Sequence, residues 1–362
     1  MGKTCVIFGG SGFVGTHLAR RFLSSEQFSH IHIADIQPSA LEGQPGISYS
    51  ATDVRNPIPA NIILASPDWI FNLAAIHREP GHTHQEYFDT NLPGAENVCS
   101  YAEQVNCKNI YFTSSISVYG PTNGPTDESS PIRPTKPYGG SKYPAELIHA
   151  GWQSRGEGRR LLISRPGVLY GPGDPGNILR MIRAVKRGYF AYPGESSVFK
   201  SYGYIYGLLE SIEFLMNSPY STVTYNYVEY PTQSLGELVE SVKRHLRSNA
   251  LVIPLPLWLL LPIAKIIHGF SGTSGAIHPV RVKKAATPTH IIPKTLLDLG
   301  FEFSFDFAQS LQHWETIAPA DFGIIDTESK TQPQKHRSIA PAGKASQAES
   351  ETISQVDSLH EA

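Results

Sequence analysis

Residues 4–15, Thr4-Cys5-Val6-Ile7-Phe8-Gly9-Gly10-Ser11-Gly12-Phe13-Val14-Gly15, decide the fold. A short strand-like run ends in spaced glycines, and a helical pattern follows to about Ser24. A glycine-rich turn between a first strand and a first helix offers backbone N–H groups and a helix N-terminus to a pyrophosphate. Gly9 suits the tight turn, Gly12 lets a ligand approach the backbone, and Gly15 lets the helix pack close to the sheet. Phe13 and Val14 open the helix beside the same ligand.

Outward from this turn, apolar β-rich runs alternate with helical patterns. Strands are expected at Thr4–Phe8, Ile31–Asp35, Ile47–Ala51, Trp69–Leu73, Ile110–Thr113 and Leu161–Arg165, with helices at Gly12–Ser24, Tyr87–Gln104 and Tyr138–Gln153. Such alternation predicts an α/β fold, a Rossmann-type doubly wound parallel sheet with helices on both faces. After Tyr170 the glycine- and proline-rich stretch 171–176 reads as a loop, and shorter elements follow. Helices are expected near Asn177–Arg187, Tyr206–Asn217 and Leu235–Leu246, and a strand near Tyr225–Val228. Ser234 and Glu237 have capping-box spacing. The organisation expected is a cofactor-binding domain over 1–170 and a smaller α/β substrate domain over 171–322, with segments returning to the main sheet. The polar composition of 323–362 predicts a disordered tail.

The 362 residues carry a formal net charge of −2 with 17 % charged side chains, which argues against a nucleic-acid partner. Cys5, Cys99 and Cys107 lack metal-like spacing and read as buried thiols in a reducing compartment. Met1–Thr4 run directly into the first strand, leaving no room for a signal peptide, so a cytoplasmic location is expected. Leu251–Ala264 is an uncharged apolar run interrupted by Pro254, Pro256 and Pro262, too short to span a bilayer. It reads as a helix from about Leu257 to His268 packed in the smaller domain, or as weak membrane contact over 251–268.

Asp35 closes the second strand twenty residues after Gly15. An acidic residue there accepts hydrogen bonds from ribose hydroxyls and repels a 2′-phosphate, so NAD rather than NADP is the expected cofactor. Tyr138 and Lys142 stand one helical turn apart and share a face. A tyrosine with a pKa of about 10 is a weak base at neutral pH, but a nearby ammonium and an oxidised nicotinamide stabilise its phenolate. It can then take a proton from a hydroxyl while hydride leaves the same carbon. Ser115, at the end of a strand, can hydrogen-bond the reacting oxygen, and Ser117 lies within reach of substrate. His77, His82 and His84 lack a further ligand at sensible spacing, so no metal site is expected.

Together these features resemble the extended short-chain dehydrogenase/reductase superfamily, in its NAD-dependent epimerase/dehydratase branch, from about Lys3 to Trp314. The resemblance implies cofactor contacts from Asp53 and Val54 at the adenine and from Leu73, Ala74 and Ala75 at a strand end. It implies support of that strand by Asn91 and a nicotinamide lining at Pro166. Ser115, Tyr138 and Lys142 match the catalytic triad, and a homodimer through the two long helices is a family expectation. Sugar-nucleotide 4,6-dehydratases carry an Asp-Glu pair where this chain has Ser115 and Ile116, so dehydration is disfavoured. Epimerase-reductases of the GDP-fucose type use a cysteine that no strand end here supplies.

Two reactions stay open on this reading. One is 4-epimerisation of a nucleoside-diphosphate sugar through a transient 4-keto sugar, of the kind found in surface-polysaccharide metabolism. The other is 4-ketoreduction of a nucleotide-linked deoxysugar. Asp35 tilts the balance to the epimerase, because many of the reductases prefer NADPH. A hydroxysteroid-dehydrogenase-like activity is a third reading, and retention of the triad argues against a non-enzymatic cofactor sensor. UDP-galactose 4-epimerases have asparagine where Val168 stands and arginine where Lys200 stands. Asn177, Lys200 and Arg281 are the expected contacts to the nucleotide diphosphate.

Overall fold

The apolar runs of the first half pair side by side because, covered on both faces, they have nowhere else to hide their side chains. The computed structural model describes residues 2–323 apart from 64–65, 78–80, 123, 175, 272–281 and 283–285. Six of its strands come from the first half: β1 (Thr4–Phe8), β2 (His30–Asp35), β3 (Ile47–Ala51), β4 (Trp69–Asn72), β5 (Asn109–Thr113) and β6 (Arg160–Pro166). After β7 (Val168–Tyr170), β8 (Tyr189–Pro193) and β9 (Tyr202–Tyr204), β10 (Thr222–Tyr227) returns to the main sheet, and β11 (Leu251–Leu255) follows. The seven-stranded sheet has the order β10-β6-β5-β4-β1-β2-β3. Every ladder in it is parallel.

The chain runs outward from β1 through β2 to β3, then crosses back to lay β4 on the other side of β1. That reversal leaves a crevice at the carboxyl ends of β1 and β4. Register levels the edge: Phe8 pairs with Ala34 on one side and Asn72 on the other, and Thr113 pairs with Ser164. Gly9, Asp35, Leu73, Ser114 and Arg165 therefore emerge together.

Helices α1 (Phe13–Ser24), α2 (His84–Gln104), α3 (Pro137–Ser154), α4 (Asn177–Lys186), α5 (Ile205–Met216), α6 (Leu235–His245), α7 (Leu257–Ser271), α8 (Lys294–Asp298) and α9 (Phe307–Ile317) cover the sheet and its extension. One face packs α2 and α3 over Val6, Phe8, Ile70, Ile110 and Leu161. The other packs α1, α4, α5, α6 and α9 over Ile7, Ile33, Phe71, Tyr111 and Tyr225. Trp152 and Trp314 are fully buried, one in each layer.

All six expected strands of the first half form, within one residue of their expected ends, and the Ser234–Glu237 capping box is present. The apolar run at 251–264 divides: its first five residues form β11, paired in parallel with β8, and α7 follows. Cys5, Cys99 and Cys107 are all buried free thiols. The expected tail lies outside the described residues beyond Gly323.

Candidate active site

A cleft of about 1040 Å³ opens along the carboxyl edge of the sheet, and the glycine turn forms its floor. Gly9 has φ +76°, and a Cβ there would sit 2.6 Å from the backbone nitrogen of Ala74, so only glycine fits between β1 and β4. A Cβ on Gly15 would lie 2.5 Å from Gly10 Cα, so this glycine lets α1 close against its own preceding loop rather than against the sheet. Gly12 caps α1 without a side chain, and no acidic residue occupies the first turn. The N-terminal end of α1 thus faces the cleft without a capping side chain, a fit for a diphosphate. Phe13, Val14 and Gly15 line the cleft there.

Asp35 also lines the cleft, with one carboxylate oxygen accepting the Ser11 N–H at 3.0 Å and the other the Gln37 N–H at 2.9 Å. The carboxylate therefore fixes the glycine loop while presenting its remaining lone pairs. Asp53 and Val54 form the adjacent wall. Asp53 is forked by Arg55 at 2.6–3.0 Å, which holds its carboxyl below the usual range. Leu73, Ala74 and Ala75 line the opposite side.

Asn91 is not in the lining. From α2 its Oδ1 accepts the Ile76 N–H at 3.0 Å, and its Nδ2 donates to Ser141 Oγ at 2.8 Å. It braces the segment after β4 against α3, the supporting place the resemblance implies.

Ser115, Tyr138 and Lys142 meet at the far end of the cleft. Tyr138 stands in the first turn of α3, half-buried and hydrogen-bonded to Ser115. Ser115 Oγ also donates to Ser117 Oγ at 3.1 Å, which brings Ser117 into the same corner. Lys142, 2 % exposed, places Nζ 4.6 Å from the centre of the Phe112 ring.

The electrostatics differ from the sequence expectation. Burial raises the Tyr138 phenol to about 12, with the Ser115 hydrogen bond opposing it, and burial lowers Lys142 to about 7, with Glu146 opposing. In this arrangement burial outweighs the neighbouring groups at both side chains.

Beneath this corner lies a buried network that sequence reasoning missed. Ser114 Oγ donates to Glu146, which also accepts from Arg165 Nε at 2.9 Å and Nη2 at 2.6 Å. Arg165 Nη1 donates to Tyr119 Oη at 2.9 Å, and Tyr119 donates onward to Asn226 Oδ1 at 2.8 Å. The ends of β5, β6 and β10 and the helix carrying Tyr138 and Lys142 are thereby tied together. Glu146 stands four residues after Lys142, so helical spacing was its available signal.

The substrate end follows the expectation only in part. Pro166, Ser117 and the exposed Val168 line the cleft. Lys200 does not: it is buried, and its Nζ donates to the Thr287 carbonyl. That bond fixes a strap from which Thr287, Pro288, Thr289 and Ile291 form a cleft wall. Asn177 is exposed at the start of α4, outside the lining, and hydrogen-bonds Tyr202. Arg281 lies outside the described residues. His77 and His82 line the cleft mouth, and His82 approaches Glu86 at 3.8 Å.

Comparison with known proteins agrees with this geometry. The family model "NAD dependent epimerase/dehydratase family" matches residues 5–227. The chain is 30 % identical over 316 residues to the N-acetyl-α-D-glucosaminyl-diphospho-ditrans,octacis-undecaprenol 4-epimerase of Escherichia coli O157:H7, covering 86 % of this chain and 94 % of that protein. Among solved structures, the UDP-glucuronic acid 4-epimerase of Bacillus cereus with NAD superposes with a TM-score of 0.69 at 16 % identity, covering 88 % and 99 % of the two chains. The UDP-N-acetylglucosamine 4-epimerase of Methanobrevibacter ruminantium M1 superposes with a TM-score of 0.67 at 19 % identity, covering 87 % and 99 %. At these identities the structural likeness is one of fold. The family match reaches further: the chain belongs to the NAD-dependent epimerase/dehydratase family and is an enzyme whose cofactor is NAD.

Proposed function

We propose that the enzyme is a 4-epimerase of a sugar carried on a diphosphate, acting through a transient 4-keto sugar. The observation that carries this reading is the meeting of Ser115 and Tyr138 at the end of a cleft whose floor is a diphosphate-binding glycine turn. Asp35 favours NAD, and the 4-epimerase relative matched along nearly its full length favours epimerisation over net reduction.

The glycine turn and Asp35 would hold NAD, which would supply the acceptor and donor for the C4 hydride and a positive charge beside Tyr138. Tyr138 Oη takes the C4 hydroxyl proton and later gives it back. Ser115 Oγ holds the reacting oxygen, which is why its hydrogen bond to the phenol matters. Lys142 and the Glu146–Arg165 pair keep that helix turn in register with the end of β5. Val168, Pro288 and Ile291 give this end of the cleft apolar surface between Thr287, Thr289 and Ser117.

A nucleoside diphosphate is the first reading of the carrier, with Ser117 as a substrate contact. A polyprenyl diphosphate is the second, favoured by the Escherichia coli relative's substrate and by the exposed apolar side chains between Leu251 and Ile266. The proposal includes weak membrane contact there, a cytoplasmic location suited to three free thiols, and a homodimer through α2 and α3.

The test is a panel of UDP-, GDP- and dTDP-sugars and a polyprenyl-diphospho-sugar, with products resolved by NMR and nucleotide released from denatured protein assayed in parallel. Interconversion of C4 epimers with bound NAD unchanged supports the epimerase. Consumption of added NADH matched to product replaces it with the ketoreductase. Tyr138→Phe is expected to lower turnover by about 10²–10⁴-fold while NAD titrates as before, because it removes only the proton carrier; unchanged turnover would mean that another group is the base.

A further inference from the structure

The apolar run at 251–266 is not used as core. On α7, successive residues are rotated by about 100°, which puts Trp258, Leu259, Ile263 and Ile266 on one side and Ala264 opposite. Ala264 is buried, whereas Trp258 is 75 % and Ile266 60 % exposed, with Leu259 and Ile263 exposed between them. The helix thus turns its apolar stripe outward, the reverse of a helix packed on a core. Leu251 and Ile253 of β11 are exposed as well, on the alternate residues of one strand face. None of these side chains lines the cleft. Exposed apolar surface of this extent marks a docking site.

Charge identifies the occupant. From Ser241 to Leu297 the sequence contains no aspartate or glutamate and eight lysines and arginines, in a chain whose net charge is −2. At the ends of this segment Lys243 pairs with Glu240 at 3.1 Å and Lys294 with Asp298 at 2.6 Å, whereas Arg244 lies in the last turn of α6, just before the apolar run, and Lys265 borders the stripe on α7. Pairing with a second copy through this face would set one cationic segment against another, which electrostatics opposes. An anionic, apolar-cored partner satisfies both features. Among the described residues no helix is long and apolar enough to cross a membrane. The arrangement is that of a helix lying in the interface, its apolar face down, with basic residues at the headgroups.

We propose that the Leu251–Ile266 surface docks the enzyme peripherally on an anionic lipid bilayer. This deepens the polyprenyl-diphosphate reading of the carrier above and rests on it only for its biological purpose. Gly194 N–H donates to the Leu255 carbonyl at 2.9 Å, just before α7, and Gly194 lies against Ala286, next to the strap Thr287–Ile291 that forms a cleft wall, so docking sets the substrate end of the cleft beside the bilayer that would hold such a carrier.

The experiment is co-sedimentation of the full chain, loaded with NAD and without any sugar, with vesicles of phosphatidylcholine alone or with about a third phosphatidylglycerol. Partition to the anionic vesicles is expected to exceed that to neutral ones by about tenfold and to fall in high salt, since surface attraction is screened. Trp258→Glu with Ile266→Glu, both at exposed positions, should bring binding down to the neutral-vesicle level. An unchanged melting temperature and NAD-induced shift in that variant establish that it is folded. Protein left in the supernatant with anionic vesicles overturns the proposal, as does undiminished binding by the variant. A wild-type dimer that the variant splits, without vesicle binding, assigns the face to a second copy instead. Because no turnover is measured, vesicle binding by an enzyme that epimerises nothing would uphold the docking and remove the epimerase reading.

Discussion

Lys142 illustrates how one residue carries two opposed demands. Burial over Phe112 lowers its pKa from 10.5 to about 7, so folding makes the amine harder to protonate. Between pH 7 and 10.5 the unfolded chain then binds a proton that the folded chain does not, and stability rises with pH across that window. Below pH 7 the penalty is fully present. Lys142→Met, which keeps the stem and removes the amine, should therefore raise the melting temperature of cofactor-stripped enzyme at pH 6, with the gain fading as pH approaches 10.5. Melting curves across that range check it; a gain independent of pH would place its cause in packing rather than charge. The spacing of Tyr138 and Lys142 was legible in the sequence, as were Gly9, Asp35 and Ser115, because each belongs to a local pattern. Their protonation was not legible, because desolvation depends on what the fold lays over them. Lys200 misled for the same reason: its position suggested a diphosphate contact, but the fold spends its ammonium on the Thr287 carbonyl.

Among elements, legibility follows how far an element's cause lies from its own residues. The central strands β1, β4, β5 and β6 are buried on both faces and announce themselves as apolar runs, whereas the edge strand β3 is only half-buried. The capping box at Ser234 is equally local, although the one at Thr83 and Glu86 escaped notice and starts α2 at His84 rather than Tyr87. β7 and β9 are three residues each and exist only through pairing with each other. β8 and β11 each contain a proline, which argues against a central strand, and both are edges of a two-stranded sheet where a missing N–H is tolerated. The Glu146–Arg165 pair likewise needs α3 and β6 to meet. Side chains 5 % and 8 % exposed hold it at 2.6 Å, so Glu146→Ala strands a buried guanidinium and should destabilise the fold by about 3–5 kcal/mol. Adding Arg165→Met should recover part of that loss, since no charge is then left unpaired. Urea denaturation of the two variants measures both, and a double variant no more stable than the single one would mean that packing, not the charge pair, dominates.

Across the whole molecule, one hydrophobic core runs from Cys5 and Phe22 near the N-terminus through Ile182 and Leu208 to Trp314. The described residues through Gly323 form one compact unit. The division at residue 170 that composition suggested is thus, on our reading, a division of roles around the cleft more than of cores. The glycine turn, Asp35 and the Ser115–Tyr138 corner lie on the first half, whereas the strap Thr287–Ile291 closes the cleft from the second. A shared core predicts that cofactor-stripped enzyme melts in a single transition, monitored alike by tryptophan fluorescence and far-UV circular dichroism. NAD at about a hundredfold excess over its dissociation constant adds about 2.7 kcal/mol to the native state, which should move that transition upward as a whole by several degrees. NADP should move it less, because Asp35 opposes a 2′-phosphate. Two transitions, with NAD raising only one, would instead mean that the halves melt separately and that the core joining them is weaker than its burial suggests.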